Sequence, residues 1–435
     1  MNLTSDSLRP HGLETIARLL AKGVTMPLPQ TVYVGEEVDP DRISGEGVVL
    51  HPGTRVRGAA TVISAHCELG AETPMTVENC QLGRGVALRG GFAQDAVFLE
   101  GSSLGSGAHV RGGTILEEQA NGAHTVGLKQ TILFPFVTLG SLINFCDVLL
   151  AGGTSRSDHS EVGSSYIHFN FTPDGDKTTA SLFGDVPRGV LLDQPPIFLG
   201  GQGGAVGPVT TGFGAVVGAG SVLRDDIGED GQLVLPASPA GVSRPVIPAR
   251  YRKLPELLGK NVTYLANLSA LAAWYRQARR PFFARLEHGD LLLGGALAAL
   301  ESARTERVRR IGRLVGRVDA SDEGRAQLQA RRDEFMASLG EVDRRGPEEV
   351  LSHLRNQAEE GVGYLDAVAG LGQDHRRAVR EWLAAVVSDQ QEAAAATVPQ
   401  LGLVWPRRDA PTEPTYGTRP LRRTRGAPAP TQLPR

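Results

Sequence analysis

The chain has 435 residues, 54 of them glycine, and a formal net charge of −3. That length allows two or three domains, and the near-neutral balance argues against bulk attraction to nucleic acid or an anionic membrane. Cys67, Cys80 and Cys146 lack any CxxC spacing, no apolar run approaches a membrane span and no signal-peptide pattern opens the chain, so a soluble, cytoplasmic protein is expected.

Residues 1–42 contain LETIARLLAKG, in which Leu13, Ile16, Leu19 and Leu20 share one face and Gly23 marks a stop. This predicts a short amphipathic helix that caps whatever follows. A proline- and acid-rich connector is expected over 26–41. From Ile43 onward apolar residues recur every six positions: Leu50, Val56 and Val62, then, after a one-residue slip, Leu69 and Met75. The beat continues at Phe98, Leu104, Val110 and Leu116, then at Val126, Ile132 and Thr138, and resumes at Val216 and Val222. Six is neither the helical period nor strand alternation. It fits a coil that turns a corner after each hexapeptide, with one apolar side chain per face directed inward. Residues 43–249 are therefore expected to form a mainly β domain, a parallel β-helix. Two stretches interrupt it: the polar TPDGDKTT and the proline-bearing VPRGVLLDQPPI.

After Arg250 the character changes, with Ala, Leu, Arg and Glu dominating. Val262, Leu265, Leu268, Leu271, Trp274 and Tyr275 fall at helical spacing, and further helical patterns run through about 291–316, 323–339, 347–360 and 375–395. An α-helical domain is expected over 250–398. Residues 399–435, rich in Pro, Arg and Thr, read as a disordered basic tail.

Three motifs inside the coil carry chemistry. VRGGTILEEQANGAHTVGLKQ spans 110–130, an Asn170-Phe171 pair is followed after two residues by Asp174-Gly175, and FLGGQGGAVGPVTTGFGAVVGAGS spans 198–221. In this order, on a hexapeptide rhythm, they resemble the acetyltransferase half of the bifunctional N-acetylglucosamine-1-phosphate uridyltransferase/glucosamine-1-phosphate acetyltransferase family. The resemblance covers roughly 95–230. It implies a left-handed β-helix, acetyl-CoA as acyl donor, a sugar phosphate or nucleotide sugar such as UDP-N-acetylglucosamine as partner, and a homotrimer with sites between subunits. Nothing resembles that family's glycine-rich nucleotide loop, and 1–42 is too short to hold its nucleotidyltransferase domain.

By this resemblance Arg111 and Lys129 fall where the family binds the sugar phosphate, a role suited to a guanidinium and an ammonium acting on a phosphate dianion. Asn170 matches the loop asparagine that contacts the sugar. Gly201 and Ala219 fall at the acetyl-CoA groove, although coil corners favour small residues in any case. The departures are as informative. Ser141 stands where the family has its catalytic histidine, and Asn144 replaces a sugar-binding tyrosine. A serine hydroxyl cannot serve unaided as a general base near neutral pH. Between Asp147 and Asn170 the chain has six residues more than the family spacing, one hexad, which brings in TSRSDHSE with Arg156, Asp158 and His159. Two expectations compete: His159 or His168 has become the base, oriented by Asp158 or Glu161, or acetyl transfer is lost and the coil only binds a nucleotide sugar or acts as a scaffold. A zinc site from His109, His124 and His159 lacks a matching spacing, and no metal is expected.

Overall fold

The computed structural model describes residues 13–167, 177–237, 241, 243, 245 and 251–406. Within them the first half is a parallel β-solenoid of about 11 turns, followed by a helical domain. Its strands form a 16-stranded and a 10-stranded sheet. The larger sheet covers two walls because Val126–Leu133 and Ile143–Leu150, each 8 residues long, run around the corner between them. The corner is turned at Gln130 (φ 49°) and Asp147 (φ 59°), stacked on Asp95 (φ 49°) and Asn79 (φ 50°). Asn and Asp tolerate this left-handed conformation better than other side chains.

The first wall alternates. Val110, Leu128, Phe145 and Ile167 stack inside, while Phe92, His109, Gly127, Asn144 and Tyr166 stack on the outer face. The second wall does not alternate: every residue of Ala96–Phe98, Thr114–Leu116 and Ser181–Phe183 is buried. Its outer column, Gln81, Val97, Ile115, Ile132, Leu149 and Leu182, faces the helical domain. The contact is close, since a Cβ on Gly295 would lie 2.2 Å from Gln81 Oε1. A continuous apolar run is what a strand covered on both faces requires. The third wall, carrying Ser103, Asn121, Thr138, Glu161, Phe198 and Val216 outward, is the 10-stranded sheet.

Three sequence expectations shift in register. The inward beat falls on Leu133 and Leu139 rather than Ile132 and Thr138: Ile132 belongs to the column facing the helices, and Thr138 pairs with exposed Glu161. The cause is the tight corner at Gln130, which shortens that turn. The first strand, Tyr33–Val34, pairs with Arg55 and Val56, so the solenoid begins inside the stretch expected as a connector. The Leu13–Lys22 helix buries Ile16 and Leu19 at that end. Finally, the additional hexad adds no strand to a wall. Gly153–Ser155 and Asp158–His159 leave the coil as an antiparallel hairpin between the second and third walls.

The helices Leu254–Trp274 and Gly289–Val315 lie along the second wall, with Gln373–Thr397 packed on the former. Arginines fasten both edges. At the edge toward the third wall, Arg279 Nη1 donates to Glu117 Oε1 at 2.9 Å, its other nitrogen pairs with Glu118, and Tyr275 donates to Glu117 at 2.6 Å. The guanidinium lies 4.0 Å from the Tyr364 ring centroid. Burial pushes the Glu117 carboxyl up to about 7 even though Arg279 opposes the shift. Farther along, Arg376 and Lys260 pair with Asp193 (3.0 Å) and Asp226 (2.9 Å). No helix among the described residues is long and apolar enough to cross a membrane.

Candidate functional site

The helices pack on the second wall and leave the first wall uncovered. There Arg111 and Lys129 are direct Cα partners on adjacent strands, and Lys129 is in turn the partner of Cys146. Like charges directly opposite one another destabilise a sheet. Neither cation has a carboxylate in ion-pair reach among the described residues. A third cation, Lys177, shares the neighbourhood. Burial and the Asp147 charge raise the Cys146 thiol above its ordinary pKa, while Arg111, Lys129 and Lys177 all act to lower it. Three positive charges thus act on one half-buried sulfur. The arrangement suits a phosphate, which neutralises the repulsion that the bare wall carries.

Beside the cations the outer face is recessed. Gly127 lies in the column between His109 and Asn144. A Cβ there would come no nearer than 3.5 Å to Ile143 O, so packing does not demand glycine at this position. The recess is bounded on one side by His109, stacked on Phe92 with centroids 5.3 Å apart, and on the other by Asn144 with exposed Tyr166 beyond it. Asn144 is therefore placed to offer a hydrogen bond to a polar group on this floor.

The corner between the third and first walls holds the other candidates. Leu142 N donates to His124 O at 3.2 Å and Ile143 N to Thr125 O at 3.2 Å, which sets Ser141 directly beside His124, one coil away. His124 is exposed, its Nδ1 3.3 Å from Thr125 Oγ1. Farther along the same corner, a Cβ on Gly163 would lie 2.5 Å from Gly201 N, and one on Gly200 would lie 2.4 Å from Ala219 N. Those two glycines are dictated by coil-to-coil packing. Gly201 is different: its Cβ would meet nothing closer than Ser164 N at 3.5 Å. At Gly201 and exposed Ala219 the corner surface remains low, a shape that a pantetheine arm can lie against.

Arg111, Lys129 and Asn144 are thus brought together on one wall, with Gly201 and Ala219 along its border. His159 is not with them: it ends the hairpin at the corner opposite the first wall, and its Nδ1 is buried without a hydrogen-bond partner. The same hairpin is tied back along its own corner by Arg156, which donates to Gln119 O (3.2 Å) and Thr138 Oγ1 (3.0 Å). His168 and Asn170 lie outside the described residues; the chain approaches them at Ile167, paired with Phe145, and is described again from Lys177. Sequence reading missed Lys177 and Gly127 at this wall and His124 beside Ser141 at its corner, because only the coil register shows which residues stack. Among the described residues no group of three or more His, Cys, Asp or Glu is placed to hold a metal ion.

No protein-family model matches the chain. Curated relatives do. The chain is 28% identical to the bifunctional protein GlmU of Thermotoga petrophila over 216 residues, 49% of this chain and 43% of the relative. The GlmU of Mycolicibacterium smegmatis is 29% identical over 217 residues (50% and 40%), and that of Synechococcus elongatus 28% identical over 234 residues (54% and 46%). The chain spans less than half the length of these relatives. About half of this chain, built as a hexapeptide β-solenoid, is therefore similar to the C-terminal half of bifunctional protein GlmU.

Proposed function

We propose that the first wall binds a phosphorylated amino sugar or nucleotide sugar, and that the protein is a hexapeptide-type acyltransferase working at an intersubunit site of a homotrimer. The observation that carries this reading is the pair of cations, Arg111 and Lys129, without an ion-pair partner among the described residues and side by side on neighbouring strands next to the open floor at Gly127. Arg111 and Lys129 neutralise the phosphate, and Asn144 and Asn170 hold the sugar. Gly201 and Ala219 border the groove for acetyl-CoA, which supplies an activated acetyl thioester.

The base must accept a proton from the attacking amine. His124 is the described imidazole stacked on Ser141, which stands at the family's histidine position, at about one strand spacing, roughly 4.8 Å. His168, beside the loop asparagine, is a second candidate. His159 can serve only if a neighbouring subunit delivers it. A reading from a different class, a nucleotide-sugar binding protein that transfers nothing, draws on Ser141 itself and on the position of His159 across the prism.

Calorimetric titration with acetyl-CoA, glucosamine-1-phosphate and UDP-N-acetylglucosamine separates the two, followed by a thiol-release assay. Coenzyme binding with turnover that His124→Ala abolishes supports the transferase. A sugar phosphate bound without coenzyme supports the binding protein. Binding of none of the three defeats both.

A further inference from the structure

The first wall does not build its cation cluster alone. Arg307 extends from the Gly289–Val315 helix to the corner between the first and second walls, with its side chain only 1% exposed. Its Nη2 pairs with Asp147 Oδ2 at 2.8 Å, and its Nη1 donates to the Lys177 carbonyl at 2.8 Å. Asn261, on the neighbouring helix, accepts from Arg307 at 3.4 Å and donates to the Thr178 carbonyl at 3.3 Å. Thr179 Oγ1 closes the group by donating to Asp147 at 3.2 Å. Two consecutive carbonyls of the segment that presents Lys177 are therefore held by the helical domain rather than by the solenoid.

The same contact settles a competition between charges. Asp147 follows Cys146 directly, at the corner where Arg307 also takes the Lys177 carbonyl, so its charge and those of Arg111, Lys129 and Lys177 all act on the same thiol. An unneutralised carboxylate there would draw Lys129 and Lys177 to itself, and a phosphate would have to displace it. Arg307 occupies Asp147 from the buried side and leaves the exposed cations to an incoming anion. A buried guanidinium with a planar fork can take a carboxylate and a carbonyl together, which a single ammonium does less well.

We infer that the helical domain is a working part of the anion site: Arg307 is a positioning residue that acts through Lys177 and Asp147. This rests on the phosphate-binding reading of the first wall and assigns a role to a domain that the relatives' similarity leaves aside. The alternative, that Arg307 only fastens two domains together, predicts a loss of stability with no specific link to Lys177.

A double-mutant cycle on the full chain distinguishes them, read by calorimetric titration with glucosamine-1-phosphate, with a thermal melt of each variant. Arg307→Lys keeps a cation against Asp147 and so favours survival of the fold, while Lys177→Ala removes the charge being positioned. Each single change is expected to weaken binding about tenfold, in line with loss of one charge-assisted contact. Their combination is expected to be no weaker than Lys177→Ala alone, because the two act on one contact. Wild-type affinity in Arg307→Lys, or losses that multiply in the double variant, overturns the inference. Should Arg307→Lys melt too early to titrate, Asn261→Ser, which gives up the bond to the Thr178 carbonyl, replaces it in the same cycle with the same criteria. Wild-type binding in Arg111→Ala and Lys129→Ala overturns the phosphate site itself, which keeps the two failures apart.

Discussion

The first and second walls of the solenoid are made by the same coil and share the strands Val126–Leu133 and Ile143–Leu150, yet they have opposite fates. On the first wall AHVR, Ala108–Arg111, alternates buried and exposed, and its outward residues are a histidine and an arginine. On the second wall TIL, Thr114–Leu116, is buried throughout, and the outward Ile115 meets a helix. The first wall carries Arg111 and Lys129 without ion-pair partners among the described residues. On the second, the buried charges at its edges are matched by arginines from the helices. One repeat therefore produces a docking face and an open face, and the outward residue at each strand centre decides which.

If the second wall is a docking face held by matched charge, its edge should be the most sensitive point in the molecule. Arg279→Met leaves Glu117 and Glu118 buried without their cation and is expected to cost about 3–5 kcal/mol in denaturant unfolding. A change under about 1 kcal/mol would mean that the helices are not fastened there. The corner bordering the first wall offers a finer contrast. Gly200→Ala forces a Cβ against the Ala219 backbone and is expected to lose about 1–3 kcal/mol, whereas Gly201→Ala stays within about 0.5 kcal/mol and, if the groove is used, weakens coenzyme binding.

The buried edge also sets a pH dependence. The folded Glu117 carboxyl titrates at about 7, against 4.5 for the free group. Between those values the folded state holds a proton that the unfolded chain releases, so stability falls as pH rises through that window. The largest slope one such group gives is about 1.4 kcal/mol per pH unit. Glu117→Gln, which still accepts from Tyr275 and Arg279, should flatten that part of the profile. An unchanged slope would place the titration elsewhere. On the open wall the effect on stability is smallest: Arg111→Ala should leave unfolding within about 0.5 kcal/mol of wild type or raise it slightly, since it removes a like-charge pair.

The period of six was enough to identify the solenoid, and the composition change after Arg250 located the helical domain. Arg111 and Lys129 could also be named together in advance, because the family resemblance places both at one sugar-phosphate site. What sequence could not supply was stacking across coils of unequal length. The turn from Lys129 to Thr131 is one residue shorter than the preceding turn from Arg111 to Thr114, so Ile132 and Thr138 carry the apolar beat in sequence while Leu133 and Leu139 carry it in space. For the same reason six additional residues read as another hexad but fold as a hairpin, which moves His159 to the far corner. His124 gives no local signal, since its relation to Ser141 exists only through backbone pairing between coils. The contact between Arg307 and Asp147 joins two domains 160 positions apart in the chain numbering and has no signature in either segment. One hint was available: AVF, TIL and SLF carry two consecutive apolar residues where an alternating strand would carry one, the mark of a wall covered on both sides.

The central claim is that the open wall holds a phosphate between Arg111 and Lys129. The most direct measurement is calorimetric titration of glucosamine-1-phosphate into the wild-type protein and into Arg111→Ala at two salt concentrations. The account predicts saturable binding that weakens about 10- to 100-fold in the variant, as expected for losing a hydrogen-bonded charge contact, and a shallower salt dependence once one cation is gone. Equal binding by the two proteins, or no binding by the wild type, would contradict it.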